Sequence, residues 1–278
     1  MTQAVADHAG RPASVVVCVD DYGLHTGVNE AVLRLVALGR ISAVSCMVGA
    51  PEWSRGAGVL RAIAPSMLDA GLHFDLTEFP LQKSLRRPLG RWIAQSQLRL
   101  VDRAAMKVEI EAQLDRFETG LGRMPAHVDG HQHVHQFPVI RDLLLDVLSA
   151  RYGSNKPWLR STRAAIPGGK AAIIEALGAR GLESLARRGG YLQNLRMLGV
   201  YDFSGGAARF SALLEEWLGA AREGDMLVCH PATSAPGADP IGTARIDEFG
   251  VLAGDEFARQ LAANGLRVTR LAAASPAA

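Results

Sequence analysis

Short apolar runs alternate along this chain with longer stretches in which apolar residues recur every three or four positions. The run at 14–19 reads S-V-V-V-C-V. So dense a block of β-branched residues predicts a strand buried on both faces. Val28, Val32, Leu35, Val36 and Leu38 follow near helical spacing and predict a helix over 28–38. Further strands are predicted over 41–48, 70–76, 126–129, 158–161, 199–202, 226–229 and 266–271. Helices are predicted over 103–119, ended near Gly120 and Gly122, and from Pro138 to about Ala150.

Strand–helix alternation through the whole chain predicts a mostly parallel sheet with helices outside it, an α/β fold. The strand count favours a distorted (β/α) barrel of the TIM-barrel kind over an open doubly wound sheet, with the active site at the C-terminal ends of the strands. We read 14–272 as a single catalytic domain and 1–13 as a disordered start. Two segments break the alternation. Residues 79–97, with Pro80, Pro88 and Gly90, read as a long loop; 162–199 holds Pro167-Gly168-Gly169, a helix and Gly189-Gly190. Long excursions at barrel strand ends are where substrate specificity is built. Both are therefore read as substrate loops, with Trp92 a candidate for stacking on a substrate ring.

The chain has 278 residues, is 48% hydrophobic, and balances 30 basic against 28 acidic side chains. A net charge of +2 gives no reason to expect a nucleic-acid partner. Arg86, Arg87 and Arg91 read as solvated surface. Three cysteines, Cys18, Cys46 and Cys229, each sit in an apolar run, which suits buried thiols in a reducing compartment. No apolar stretch reaches the roughly 18–20 residues that span a bilayer, and the first residues lack the order of a secretory signal. These features predict a cytoplasmic protein with no integral membrane association.

The unusual polar residues fall at the predicted strand ends. Asp20 and Asp21 end the first strand, His73 and Asp75 the third, Asp129 and His131 the fourth, and His230 the seventh. In parallel β/α folds that edge carries the active site. Four of the eight histidines lie within H-V-D-G-H-Q-H-V-H, 127–135. In an extended stretch alternate side chains share one side, so His127, Asp129, His131, His133 and His135 are expected to converge. Imidazole and carboxylate together form the ligand set of zinc or another divalent ion. Such an ion with open coordination positions brings the pKa of bound water toward neutrality; a nearby carboxylate can take a proton and a histidine can give one. The residues are equipped for hydrolysis.

The segments D-D-Y-G (20–23), G-L-H-F-D-L-T (71–77), H-V-D-G-H-Q-H-V-H-Q-F-P (127–138) and C-H-P-A (229–232) resemble, in the same order, the YdjC-like carbohydrate deacetylases. That family includes chitooligosaccharide deacetylase and a hopanoid-biosynthesis-associated branch. The resemblance implies removal of the N-acetyl group from an amino sugar or glycoconjugate, with one divalent metal ion, zinc or magnesium, per chain. It implies Asp21, His73 and His131 as metal ligands, Asp20 as general base and His230 as general acid. His133, Asp129 and Arg160 are expected to orient the ligands or touch substrate; for Arg160, at the end of the fifth strand, a solvated surface arginine is the alternative reading. An acetylglucosamine-like substrate and a homodimer are further implications. Tyr22 stands where relatives more often have Phe, which would add a hydroxyl near the site, and Gln132 where they often have His. The rival readings are hydrolysis of another amide or a phosphoester, and a non-catalytic sugar-binding or metal-sensing barrel.

Overall fold

The computed structural model describes residues 12–271. Eight parallel strands form one sheet: β1 (Ala13–Tyr22), β2 (Ala43–Cys46), β3 (Asp69–Phe74), β4 (His127–Gly130), β5 (Trp158–Leu159), β6 (Met197–Leu198), β7 (Met226–Cys229) and β8 (Leu266–Val268). Their order is β5-β4-β3-β2-β1-β7-β6, with β8 on the first residues of β1, below the stretch that pairs with β7. Two isolated parallel bridges, Leu159–Gln193 and Ala164–Met197, tie the chain around β5 to the chain around β6 and draw the sheet toward closure. The architecture is a distorted (β/α) barrel.

The helices are α1 (Thr26–Ala37), α2 (Trp53–Arg61), α3 (Leu89–Gln97), α4 (Arg103–Leu121), α5 (Ile140–Tyr152), α6 (Gly169–Ala176), α7 (Ala179–Arg188), α8 (Gly206–Ala220), α9 (Gly242–Ala253) and α10 (Asp255–Ala263). The β1 side chains show how the barrel separates its two cores. Val15, Val17 and Val19 belong to a large cluster shared with helix residues such as Leu35, Ile110, Leu144 and Phe257. Val16 and Cys18 instead pack with Ala43, Met226 and Val228 in a smaller cluster. Period-two alternation thus sends one set of β1 residues outward to the helices and the other into the barrel. Asp20 continues the inward series. Inside, the barrel is apolar below and polar at its C-terminal mouth.

Three expectations need correction. The loop at 79–97 contains α3, because Leu89, Trp92, Ile93 and Ser96 make a buried or half-buried face at helical spacing. The sixth strand is Met197–Leu198, two residues before the predicted 199–202. Gly199 has φ 94 and approaches the Val228 carbonyl, so the chain turns where a strand was expected. Residues 162–199 hold two helices, α6 and α7, instead of one. Of the expected disordered start, 1–11 lie outside the described residues, and Ala13 already opens β1.

Gly71 on β3 shows how tightly the interior is filled. A Cβ there would lie 2.3 Å from the His127 ring. Because that ring is clamped against Trp158, at 4.2 Å between centroids, it has nowhere to retreat. Gly71→Ala should lower unfolding stability by about 1–3 kcal/mol, the usual cost of overpacking. Urea denaturation measures it, and an unchanged midpoint would mean the ring has slack.

Candidate metal and catalytic centre

Consecutive strand residues point to opposite faces, so Asp20 and Asp21 could not both face the barrel from a regular strand. The β1 register shifts between Val19 and Tyr22, and Asp21 adopts φ 67. Asp tolerates this left-handed region better than most residues, and such irregularities re-aim side chains beside active sites. Both carboxylates are buried and reach one centre. Asp21 Oδ1 lies 3.1 Å from His131 Nδ1 and 3.4 Å from His73 Nε2. Its other oxygen accepts from Arg245 Nη2 at 2.7 Å, while Arg245 Nε donates to Asp239 at 2.8 Å.

A buried ionic frame holds the neighbours. His73 Nδ1 meets Asp129 Oδ1 at 2.6 Å, which fixes the ring and leaves Nε2 facing Asp21. Asp129 Oδ2 accepts from Ser45 Oγ at 2.6 Å and pairs with Arg160 Nη2 at 2.5 Å. Arg160 is fully buried and also forks Asp20, with Nη1–Oδ2 at 2.7 Å and Nη2–Oδ1 at 2.6 Å. The surface reading of this arginine is excluded. Ser45 Oγ completes the frame with His127 Nε2 at 2.9 Å.

The expected alternation through 127–135 holds only on β4, where His127 and Asp129 both face Ser45. Beyond Gly130 the backbone leaves the extended form for a 3-10 turn over 131–136, with Gln132 and His133 at φ 50 and 62. His131 reaches Asp21 from that turn, with its Nε2 3.3 Å from Glu78. His133 lines the pocket. His135 points elsewhere, its Nε2 3.1 Å from the Arg160 carbonyl, where it fixes the backbone that carries the arginine. Asp75 caps the next turn by accepting from the Thr77, Glu78 and Phe79 amides.

His230 follows β7. Its Nε2 lies 3.9 Å from Asp20 Oδ2, its ring meets Phe203 edge to face at 5.2 Å, and its backbone amide donates to Glu248. Glu248 also accepts from the Tyr201 hydroxyl at 2.8 Å. Two other readings fall. Tyr22 sends its hydroxyl to the Gly56 carbonyl on α2, not into the site. Trp92 is buried and donates to the Leu76 carbonyl, so it cannot stack on a sugar.

The charges follow from this frame. Burial opposes ionisation of Asp20 and Asp21, yet Arg160 and His73 hold Asp20 below the usual carboxylate range. Arg245 and His131 do the same, more strongly, for Asp21. Burial disfavours the His73 imidazolium, but Asp129 and Asp20 outweigh it and raise the ring to about 9. His131 is raised against the same burial penalty by Asp21 and Glu78. Burial, helped by the nearby Arg245 and His73 charges, moves His230 down to about 4. Burial, with Asp20 close by, moves Glu248 up to about 7.

Among the described residues, three sets of side chains could hold a cation: Asp21–His73–His131, Asp20–His73–Asp129 and Cys18–His127–Asp129, each with ligand atoms within 4.8 Å of one another. The latter two share carboxylates already neutralised by the Arg160 guanidinium, which would repel a cation, and Arg160 Nη2 also sits 3.2 Å from Cys18 Sγ. Only Asp21–His73–His131 stays clear of it. Two imidazoles and a carboxylate suit a divalent ion with open positions.

The centre forms the floor of a pocket of about 520 Å³. Asp20, Asp21, His73, His131, His133 and His230 line it, and Leu89, Ile174, Leu177, Met197, Val200 and Ile241 form apolar walls. Asp129 and Arg160 lie beneath. Sequence reasoning missed Ser45, Glu78, Arg245 and Glu248. Ser45 had a signal, a polar residue at the end of an apolar strand, whereas Arg245 and Glu248 lie on α9 with nothing in their surroundings to mark them.

The model of the YdjC-like protein family matches residues 14–263. The chain belongs to the YdjC-like family. Chitooligosaccharide deacetylase of Yersinia pestis is 31% identical over 137 residues, 47% of this chain and 53% of that protein. Carbohydrate deacetylase of Mus musculus is 31% identical over 175 residues, 58% of this chain and 54% of that protein. This YdjC-like chain thus spans about half the length of the curated relatives it matches. Among solved structures, a proposed cellobiose-phosphate cleavage protein of Enterococcus faecalis superposes with TM-score 0.72 at 19% identity, over 95% of this chain and all of that one. A peptidoglycan N-acetylglucosamine deacetylase superposes with TM-score 0.52 at 13% identity, over 93% and 86%. These two share the fold.

Removing the Arg160 charge while keeping its bulk should strand two buried carboxylates. Arg160→Met is expected to cost about 3–5 kcal/mol of stability, the range for breaking a buried pair. Thermal or chemical unfolding reads it, and a loss below about 1 kcal/mol would show that the frame is not carried by this residue.

Proposed function

We propose that this YdjC-like protein is a metal-dependent N-deacetylase of amino sugars or glycoconjugates, releasing acetate and a free amine. The observation that carries the reading is the cation-ready group Asp21–His73–His131 beside an ionised Asp20 and a pocket-lining His230. The curated relatives named as deacetylases support it. A zinc or magnesium ion held there would polarise the acetyl carbonyl and lower the pKa of a water molecule; two imidazole ligands favour zinc or another transition ion.

The chain's own residues then do the following. Asp20, oriented and kept ionised by the Arg160 fork, accepts a proton from the attacking water. Water oxygen bonds to the acetyl carbon, and the C–N bond breaks as the amine takes up a proton. His230 is neutral at pH 7, so the proton it gives is one received during the reaction, and Asp20, with Oδ2 3.9 Å away, can pass on the one it took from the water. His133 and the walls of the pocket orient the sugar. Residues from 79–97 and 162–199, among them Phe79, Leu89, Lys170 and Ile174, line the same pocket. We therefore assign both segments to substrate recognition within one catalytic unit over 14–272. The apolar walls favour a glycoconjugate with an apolar group beyond the sugar over a free chitooligosaccharide. The three buried thiols suit a cytoplasmic setting, and no helix among the described residues is long and apolar enough to cross a membrane.

Acetate release from N-acetylglucosamine oligomers and from alkyl N-acetylglucosaminides, with and without chelator, tests the activity; binding without release would make the protein a sugar-binding barrel. Asp20→Asn should lower kcat by about 10²–10⁴-fold, the usual worth of a general base, and leave metal stoichiometry intact. Full turnover in that variant would remove Asp20 from the chemistry.

Metal uptake should also depend on pH. His73 and His131 both have raised pKa values and carry protons at pH 7 when no cation is bound. Binding must expel those protons, so zinc affinity should rise from pH 6 to pH 8, by about tenfold per unit for each proton released. Calorimetry in buffers of different ionisation enthalpy counts the protons. An affinity flat across that range would place the cation away from these rings.

A further inference from the structure

The rim of the pocket carries a surface that the reaction does not use. Between α3 and α4 the chain makes a tip at Leu98, Arg99 and Leu100. Arg99 sits at φ 59, and the two leucines are 67% and 66% exposed, more than any other large hydrophobic residue described. Gln97 Nε2 donates to the Leu177 carbonyl at 3.3 Å, which sets this tip beside the end of α6. There Ile173 is 64% exposed. The same two elements supply Leu89, Ile174 and Leu177 to the pocket walls, so the exposed apolar residues border the entrance.

The charge along the 83–103 segment itself is one-sided. Lys83, Arg86, Arg91, Arg99 and Arg103 are all exposed, and none forms an ion pair among the described residues, whereas arginines such as Arg151, Arg163 and Arg209 do. Asp102 is the one acidic residue between 79 and 103, and its carboxylate is engaged in capping α4 through the Ala105 amide. A solvated basic face needs no projecting leucines, and a protein-binding apolar patch needs no uncompensated row of cations. The combination matches a surface that is anionic at its plane and apolar just beneath it.

We propose that the 83–103 segment with the outer face of α6 is a peripheral docking surface for an anionic lipid bilayer, seating the pocket mouth at the headgroup level. Leu98, Leu100 and Ile173 enter the interface, and the cations pair with lipid phosphates. This goes beyond the deacetylase reading and does not depend on it, because binding is measured without substrate.

Co-sedimentation of the full chain with phosphatidylglycerol–phosphatidylcholine vesicles, against pure phosphatidylcholine, tests it. Binding is expected on the anionic vesicles alone and should weaken with added salt. Arg91→Gln/Arg99→Gln should reduce the partition coefficient by roughly 25-fold, about fivefold per cation at a membrane surface. Leu98→Ser/Leu100→Ser should reduce it at least tenfold with an unchanged melting temperature, since both side chains are already in water. The wild-type chain staying in the supernatant with anionic vesicles would overturn the proposal. So would binding indifferent to the leucine pair. A concentration-dependent dimer that the leucine pair abolishes, without vesicle binding, would overturn it too and assign the patch to a second copy.

Discussion

A guanidinium sealed from water is tolerable only between anions, and Arg160 sits between two, Asp20 and Asp129. The rest of the centre follows from that constraint. Asp129 spends one oxygen on Arg160 and the other on His73, which turns the free nitrogen of His73 toward Asp21. Asp20, forked by the same arginine, stays ionised in a place where burial alone would protonate it. Desolvation of such a pair is costly and is repaid only by good geometry with further hydrogen bonds; Ser45 and the Cys18 thiol add contacts at Nη2, while Nε is left without a partner. The arrangement fixes charge, orientation and tautomer at one place.

The barrel makes this possible by layering. Small and apolar side chains, Val16, Cys18, Ala43, Met226 and Val228, fill the interior below, and the polar frame occupies the level above. A chain of charges standing on an apolar floor experiences a low dielectric, which strengthens each pairing and penalises any unpaired member. The left-handed Asp21 is the local cost of bringing two consecutive carboxylates to one centre, and it sits where strain of this kind gathers, at the functional mouth of the fold. On the far side of Asp21, Arg245 and Asp239 extend the same alternation of charge to α9 and His25.

Much of this was legible in the residues. The valine block of β1, the helical spacing of α1 and α4, and the placement of Asp20, His73, Asp129 and His230 at strand ends all depend on short-range pattern, and short-range pattern survives folding. What failed depended on backbone geometry or on distant partners. Period-two reasoning carried His127 and Asp129 correctly but could not foresee the left-handed turn at Gln132 and His133, which delivers His131 by another route. Proline and glycine at 80–90 suggested a loop, while the spacing of Leu89, Trp92 and Ser96 made a helix. Arg245 and Glu248 act across more than 200 and 40 residues of chain on Asp21 and Tyr201 respectively, separations that no local window contains. Arg160 carried both a buried and a surface reading until the interior around it was known.

The central claim is a cation held by one carboxylate and two imidazoles, kept apart from the Arg160 frame. X-ray absorption at the zinc edge of the zinc-loaded protein reads that environment directly. The account predicts two imidazole nitrogens and oxygen neighbours at about 2.0–2.2 Å, with no sulfur. A zinc–sulfur distance near 2.3 Å, placing the ion on Cys18, or a shell without imidazole would contradict it.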